Sequence, residues 1–346
     1  MVSIVIIGYG GMGGHHAERL KKNPHYNVVG AYDTDPLRMD AAKKAGLIAY
    51  PSYEAVGADA AVNAVLVATP NDIHPFYCEY FAEKGKNIIC EKPAANTPAE
   101  FARMVAAAEK SKINLSVHQN RRWDKDFITI RKTAESGVIG ELRRIESRVV
   151  GGNGIPGGWR KLKAHGGGMM LDWGVHLIDQ LCHMRSAPIV KLYCDYSYRQ
   201  KHECEDGFEL EMTFKDGLTA RITVTTDSFL PQQRWFLYGS KGTATVLDWA
   251  CNGKIAVKKE YDGEIKGIAA GNGFTKTMAD LPEGVVAEYG LPDVGTDYER
   301  FYNNFAAVCG GKEKPEIKNA EVLRVLKIME AAERSYKKRV VVTGEL

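Results

Sequence analysis

Apolar positions in the first third of the chain fall into short solid runs, separated by segments of helical period. Ile4 to Ile7 is continuous, β-branched and apolar, the mark of a strand buried on both faces. A helix is expected from Met12 to Asn23, stopped near Pro24, and Tyr26 to Tyr32 is the second strand. Asp35-Pro36 opens a helix that ends at Gly46, with proline in the first turn and glycine past the end. Ala64 to Ala68 and Asn87 to Cys90 are further strands. The helix between them can be capped by Asn71 or Asp72 and ends near Gly85. Thr97-Pro98-Ala99-Glu100 is a capping box opening a helix to about Lys112, and Ile113 to Val117 is the last strand of the block. This alternation predicts a parallel, doubly wound α/β sheet, a Rossmann domain over residues 1–120.

Beyond Asn120 the period changes. One helix covers Lys125 to Ser136. Alternating strands follow at 142–150, 190–198, 208–214, 218–225, 234–238 and 243–249, with hairpin turns at Lys215-Asp216-Gly217 and Ser240-Lys241-Gly242. Helices near 297–309 and 319–337 close the chain. The pattern predicts an α+β domain over 121–346 with a large, mostly antiparallel open sheet, its last helix free to pack back on the first domain. Such a sheet must cover one apolar face, and a second copy is one cover, so a homo-oligomer (dimer or tetramer) is expected. The glycine-rich stretch Gly151 to Gly168 is expected to form a lid or pocket wall. Residues 262–295 read as turn-rich loop.

Composition adds exclusions. A chain of 346 residues suits two domains. The 46 basic and 43 acidic residues nearly balance, which gives no reason to invoke nucleic acid or an anionic membrane. No apolar run approaches the ~20 residues that span a bilayer, and the N-terminus lacks the basic segment of a signal peptide. The seven cysteines are scattered without C-x-x-C, which argues against a disulfide framework or zinc site and for a reducing cytoplasm. His15-His16 reads as a pyrophosphate-side or surface pair; no nearby cysteine or carboxylate completes a site with it, so no metal is expected.

Gly8-Tyr9-Gly10-Gly11-Met12-Gly13 matches G-x-G-x-x-G, and here it follows a buried strand and opens a helix, the context that gives the pattern meaning. Gly8 permits the tight turn, Gly10 lets backbone approach a pyrophosphate, and Gly13 allows close helix–strand packing. Asp33 ends the second strand, where a carboxylate can accept the adenine-ribose hydroxyls and repel a 2′-phosphate. That favours NAD over NADP, while Arg38 nearby keeps NADP open.

Glu91-Lys92-Pro93 follows a strand, Asp172-Trp173-Gly174-Val175-His176 carries D-x-G-x-H, and Thr69-Pro70-Asn71-Asp72-Ile73-His74 carries T-P-N-x-x-H. Together with the N-terminal glycines, these motifs resemble the glucose–fructose oxidoreductase / inositol dehydrogenase / rhizopine-catabolism family, abbreviated Gfo/Idh/MocA, along the whole chain. The resemblance implies a catalytic set of Lys92, Asp172 and His176. It implies a cis bond between Lys92 and Pro93, with Glu91, Lys92 and Pro93 beside the nicotinamide. It also places Thr69, Pro70, Asn71 and His74 along the cofactor, and it implies a sugar, cyclitol or sugar derivative as substrate. Asn120, after the last Rossmann strand, is a further candidate on the cofactor side.

Those residues suit alcohol oxidation. Histidine is the natural base near neutral pH, and His176 follows Asp172 by a helical spacing of four. Asp172 then either fixes the imidazole tautomer or binds a substrate hydroxyl. Lys92 would stabilise alkoxide charge. Gly174 between them lets cofactor or substrate approach the backbone. Arg122, Trp159 and Arg160 are substrate candidates, by stacking on a sugar face or by binding hydroxyls or a carboxylate. The plain alternative is a solvated arginine pair and a core tryptophan. Two rivals remain: a family member that retains NAD and oxidises or cleaves a glycoside, and a dinucleotide- or sugar-sensing regulator.

Overall fold

The computed structural model describes residues 1–261, 263, 268–269, 271–273, 275–276 and 281–346. The rest of the expected 262–295 loop lies outside the described residues.

The first unit alternates strand and helix: β1 (Val2–Ile7), α1 (Gly11–Lys22), β2 (Tyr26–Tyr32), α2 (Pro36–Lys44), β3 (Ile48–Ala49), α3 (Tyr53–Ala58), β4 (Ala64–Val67), α4 (His74–Glu83), β5 (Asn87–Cys90), α5 (Pro98–Lys110) and β6 (Leu115–Val117). The six strands lie in the order β3-β2-β1-β4-β5-β6, all pairs parallel. That is the doubly wound order whose strand ends open a ligand crevice where β1 meets β4. Ile4 to Ile7, Ala64 to Val67 and Ile88 to Cys90 have no measurable exposure, as solid apolar runs require. Two caps act as the sequence predicts. Asp35 accepts the Leu37 N–H at 2.9 Å, and Thr97 and Glu100 form the reciprocal capping box. The cap expected at Asn71 or Asp72 is absent. A 3₁₀ turn (Asn71–Ile73) precedes α4 without a side-chain cap. Asn71 instead donates to the Gly166 carbonyl at 2.9 Å, and Asp72 takes His165 at 3.1 Å.

After α6 (Lys125–Glu135) the chain builds β7 (Leu142–Val150), α7 (Val175–Met184), β8 (Ile189–Ser197), β9 (Gly207–Phe214), β10 (Thr219–Thr225), β11 (Trp235–Gly239), β12 (Gly242–Val246) and β13 (Gly253–Lys258). A small pair, β14 (Ile268–Ala269) and β15 (Thr275–Lys276), precedes β16 (Val286–Tyr289), α8 (Arg300–Cys309), α9 (Asn319–Lys338) and β17 (Val342–Thr343). The large sheet has nine strands, β16-β13-β12-β11-β7-β10-β9-β8-β17. Among the described residues, only the central β7–β10 pair of this sheet is parallel.

Register explains the two faces of this sheet. One row runs Leu192, Met212, Ala220, Ile145, Leu237, Ala244, Ile255, and it is buried throughout. The row beside it runs Tyr193, Glu211, Arg221, Glu146, Phe236, Thr245, Lys254. Helices α6, α7 and α9 pack on this sheet, so its apolar face is covered within the chain. The opposite face mixes ion pairs with aromatic side chains: Arg221 pairs Glu211 at 2.8 Å, Glu146 sits between Arg144 and Arg148, and Tyr193 and Phe236 lie in the same row. The expectation of an oligomer rested on an uncovered apolar face, and that reason does not hold. Helix α9 packs on β8 and α7 and also reaches α5 and β6. Helix α8 docks on the first unit, where its Tyr302 carbonyl accepts the Tyr26 hydroxyl at 2.6 Å.

Candidate active site

The turn after β1 brings backbone to an open cleft. Gly8 has φ +89°, and a Cβ there would meet the Ala68 carbonyl at 2.7 Å; a Cβ on Gly13 would meet Gly8 O at 2.0 Å. These two glycines let α1 close onto the strand ends. Gly10, Gly11 and Met12 then line a cleft of about 1000 Å³. Tyr9 and Gly13 do not line it: Gly13 is a packing contact, and Tyr9 offers its N–H to Asp33 at 2.7 Å. Helix α1 has no side-chain cap, so its first-turn N–H groups and dipole are left for an anion. Asp33 Oδ1 also accepts the Asp35 N–H at 2.9 Å. Each carboxylate oxygen therefore keeps a lone pair for a ribose hydroxyl. Arg38 stands over Gly10, where an added Cβ would lie 3.0 Å from its Nη1.

The rest of the cleft comes from strand ends of the first unit and from loops of the second. Thr69, Pro70 and Asn71 follow β4, Glu91, Lys92 and Pro93 follow β5, and Asn120 follows β6; all line it. The Lys92–Pro93 bond is cis. Asn120 Oδ1 is buried without a partner among the described residues, an acceptor free for a bound amide. Opposite stand Pro156 to Arg160 of the glycine-rich stretch, then Asp172, Trp173 and His176. That stretch is therefore a wall of the cleft. Lys92 Nζ donates to the Asp172 carbonyl at 3.1 Å and to Asp172 Oδ1 at 3.3 Å, and Arg160 Nε reaches the same oxygen at 3.5 Å.

Five expected roles need correction. Asp172 does not contact His176; Lys92 and Arg160 take its carboxylate instead. The competing cations decide this: the π-helical turn Met170–Gly174 still leaves residues four apart near one face, but Lys92 and Arg160 hold the carboxylate. Gly174 faces Met170 and Phe208, within 2.6 and 3.2 Å of an added Cβ, so it serves packing and not ligand approach. Arg122 is buried and gripped at both ends by Asp179, at 2.6 and 2.7 Å, and by Glu321 at 2.8 Å; it is not a substrate contact. Its neighbour Arg121 lines the cleft and lies over the Trp173 ring, 4.3 Å from the centroid. The 3₁₀ turn Asn120–Trp123 sends successive side chains different ways, which no sequence signal marks. His74 is buried between the Thr69 and Pro93 carbonyls, 2.9 Å from each, so it ties two walls together from behind. Glu91 turns its carboxylate away from the cleft. Oε1 sits 2.7 Å from His16 Nε2 and 2.6 Å from His118 Nδ1, while Oε2 accepts the Lys92 N–H at 3.1 Å.

A carboxylate therefore does stand beside His16, against the sequence expectation. The separations are those of hydrogen bonds. An ion holding such ligands tetrahedrally at about 2.1 Å would keep them about 3.4 Å apart. Tyr302 of α8 closes the cluster, its hydroxyl 2.8 Å from His16 Nδ1.

Burial sets the ionisation of these groups. It depresses His176 well below its ordinary value, and the charges of Lys92 and Arg121 depress it further. His176 is thus neutral near pH 7 and able to accept a proton. Its Nδ1 is buried without a partner among the described residues, which leaves Nε2 for the cleft. Burial alone would raise Asp172 and Glu91. Lys92 and Arg160 outweigh it for Asp172, and His118 and His16 for Glu91, so both lie below the usual carboxylate range.

A glycine turn at the mouth of a doubly wound sheet, facing a lysine, a carboxylate and an imidazole, agrees with two family descriptions. Residues 2–119 match the oxidoreductase family with an NAD-binding Rossmann fold, and residues 127–245 match the GFO/IDH/MocA C-terminal domain. The chain belongs to the Gfo/Idh/MocA family. Like other members it is an oxidoreductase that binds NAD(P). It is 40% identical to the crystal structure of an NAD-binding protein from Listeria innocua, with a TM-score of 0.96 and 99% of both chains covered. A scyllo-inositol 2-dehydrogenase (NADP(+)) of Bacillus subtilis is 26% identical over 83% of this chain and 80% of its own. A myo-inositol 2-dehydrogenase of Thermotoga maritima is 27% identical over 69% and 73%. No described helix of this family member is long and apolar enough to cross a membrane.

Proposed function

We propose that this oxidoreductase transfers hydride between NAD and a ring secondary hydroxyl of a sugar, cyclitol or sugar derivative. The observation that carries the reading is the Lys92–Asp172 contact of 3.3 Å, in one cleft with His176 and the uncapped start of α1. The bound nicotinamide supplies the hydride acceptor or donor. The side chains supply the rest. His176 takes the hydroxyl proton on oxidation and returns it on reduction. Lys92 has three N–H donors; two face Asp172, and the third is free to meet the substrate oxygen and stabilise it as alkoxide. Asp172 orients Lys92. Trp159 offers a ring face to the substrate, and Arg160 a donor fork.

NAD is preferred to NADP in this reading, because Asp33 and Asp35 both line the adenosine end of the cleft and a 2′-phosphate would meet two carboxylates. Arg38 offsets part of that repulsion. A homo-oligomer formed through the large sheet would be held by its ionic rows, so sedimentation should show dissociation as salt rises.

Screening sugars, inositols, uronates and glycosides for reduction of either cofactor tests the whole reading. Turnover with NAD is expected, and His176→Ala should lower kcat by ~10²-fold or more while NAD still binds. Full turnover by that variant would remove the base from His176.

A further inference from the structure

The inner end of the cleft has a surplus of positive charge. Lys92, Arg121 and Arg160 line it, against the carboxylate of Asp172; Glu91 lines it too, but its carboxylate is turned back onto His16 and His118. Arg121 is committed elsewhere: it donates to Asp124 at 2.8 Å and covers Trp173. Lys92 and Arg160 then share Asp172, which leaves one unit of positive charge uncompensated.

Arg160 is the freer of the two. It leaves the 3₁₀ turn Gly158–Lys161 with its guanidinium over the Trp159 ring, 4.8 Å from the centroid. Its Nε reaches Asp172 only at 3.5 Å. Neither terminal nitrogen has a hydrogen-bond partner among the described residues, and the side chain keeps 33% of its exposure. A planar fork whose edge between the two terminal nitrogens is free, lying over an aromatic ring, matches one carboxylate in bidentate geometry. A neutral polyol would leave the surplus charge unmet in a half-closed cavity.

We propose that the substrate is a polyhydroxylated acid whose single carboxylate sits on the Arg160 fork, presenting a hydroxyl to Lys92 and His176. This rests on the hydride-transfer reading above and names its substrate class. A surplus of one charge favours a carboxylate over a dianionic phosphate ester.

The test compares kcat/KM for matched pairs, glucuronate with glucose and galacturonate with galactose, adding glucose 6-phosphate, in wild type, Arg160→Gln and Arg160→Lys. The acid of at least one pair should be preferred by about 10-fold or more. Arg160→Gln should lower its kcat/KM by about 10- to 100-fold, mostly through KM, and lower that of the neutral partner less, so that the preference collapses. Arg160→Lys should restore part of it. Neutral sugars used as well as acids, a preference unchanged in Arg160→Gln, or a phosphate ester used better than either acid would each overturn the proposal and leave hydride transfer standing. Failure of every compound to change either cofactor would overturn both.

Discussion

Glu91 and Lys92 are adjacent in the chain, yet their side chains enter opposite environments. Glu91 points back into a sealed cluster with His16 and His118, where side-chain exposures are 9%, 0% and 6%. Lys92 points forward into the cleft with Asp172 and Arg160, where they are 17%, 19% and 33%. In the sealed cluster the side-chain hydrogen bonds are short, and both oxygens of Glu91 and both nitrogens of His16 have partners. In the open one, contacts are 3.1 to 3.5 Å and donors are left over. Closure suits a structural role for the first cluster; under the proposed function, the spare donors of the second are those that meet the substrate. The sealed cluster still serves the open one, because Glu91 Oε2 holds the Lys92 N–H and so sets where the amine begins.

The largest effect should come from the open side. Lys92→Ala should lower kcat by ~10³-fold with thermal stability nearly unchanged. It should also move the pH profile. The positive charge of Lys92 helps hold His176 low, so in the wild type the acid limb of kcat/KM should fall below pH 6.5, with activity lost as the imidazole is protonated. In Lys92→Ala that limb should move up toward the ordinary histidine value. A limb that stays put would show that His176 is not the group titrating.

Glu91→Gln should do the reverse. It leaves two buried imidazoles facing an amide in place of a carboxylate and should cost about 3 kcal/mol of stability, read as a lower Tm. The acid side carries the signature. Glu91 is held below its unfolded value, so its contribution is present above that value and is lost as pH falls through the folded one. The variant should therefore resemble the wild type in acid and differ most near neutrality. An unchanged Tm with kcat strongly reduced would place Glu91 on the catalytic side of the comparison after all.

The sequence shows the two clusters unequally. Solid apolar runs gave the parallel sheet, and alternation gave most of the large one, because both patterns are local. Strands β13 and β16 escaped notice because only Ile255 is buried among their residues. Lys92, Asp172 and His176 were found through the motifs that carry the family resemblance. Nothing local ties His16 to Glu91 and His118, which lie 75 and 27 positions from the glutamate. Spacing alone suggested a contact between Asp172 and His176, and no local pattern shows that Lys92, 80 positions away, takes that carboxylate instead. The tandem Arg121-Arg122 shows the same limit: one side chain faces the cleft and the other the interior, with identical chemistry in sequence.

Glu205 extends the comparison to a buried carboxylate that has no salt-bridge partner among the described residues, and it carries the smallest effect. It lies beneath the π turn, where its Oε1 accepts the Met170 N–H at 2.9 Å, and Gly168 (φ +104°) is open to it because a Cβ there would meet that oxygen at 2.4 Å. Burial pushes Glu205 up to about 7, the Met170 N–H opposes this, and the nearby charge of Glu333 adds to it. Glu91, equally buried, goes the other way because two imidazoles face it. Between the ordinary carboxylate value and about pH 7 the native state therefore holds a proton that the unfolded chain has lost. Stability then falls as pH rises across that window, by about 3 kcal/mol. Glu205→Gln keeps an acceptor for Met170 without the charge. Its Tm should match the wild type near pH 5 and exceed it by several degrees near pH 8, with kcat/KM little altered at the lower pH. An equal shift at both pH values would mean that Glu205 is ionised throughout, and that a buried carboxylate here needs no cation.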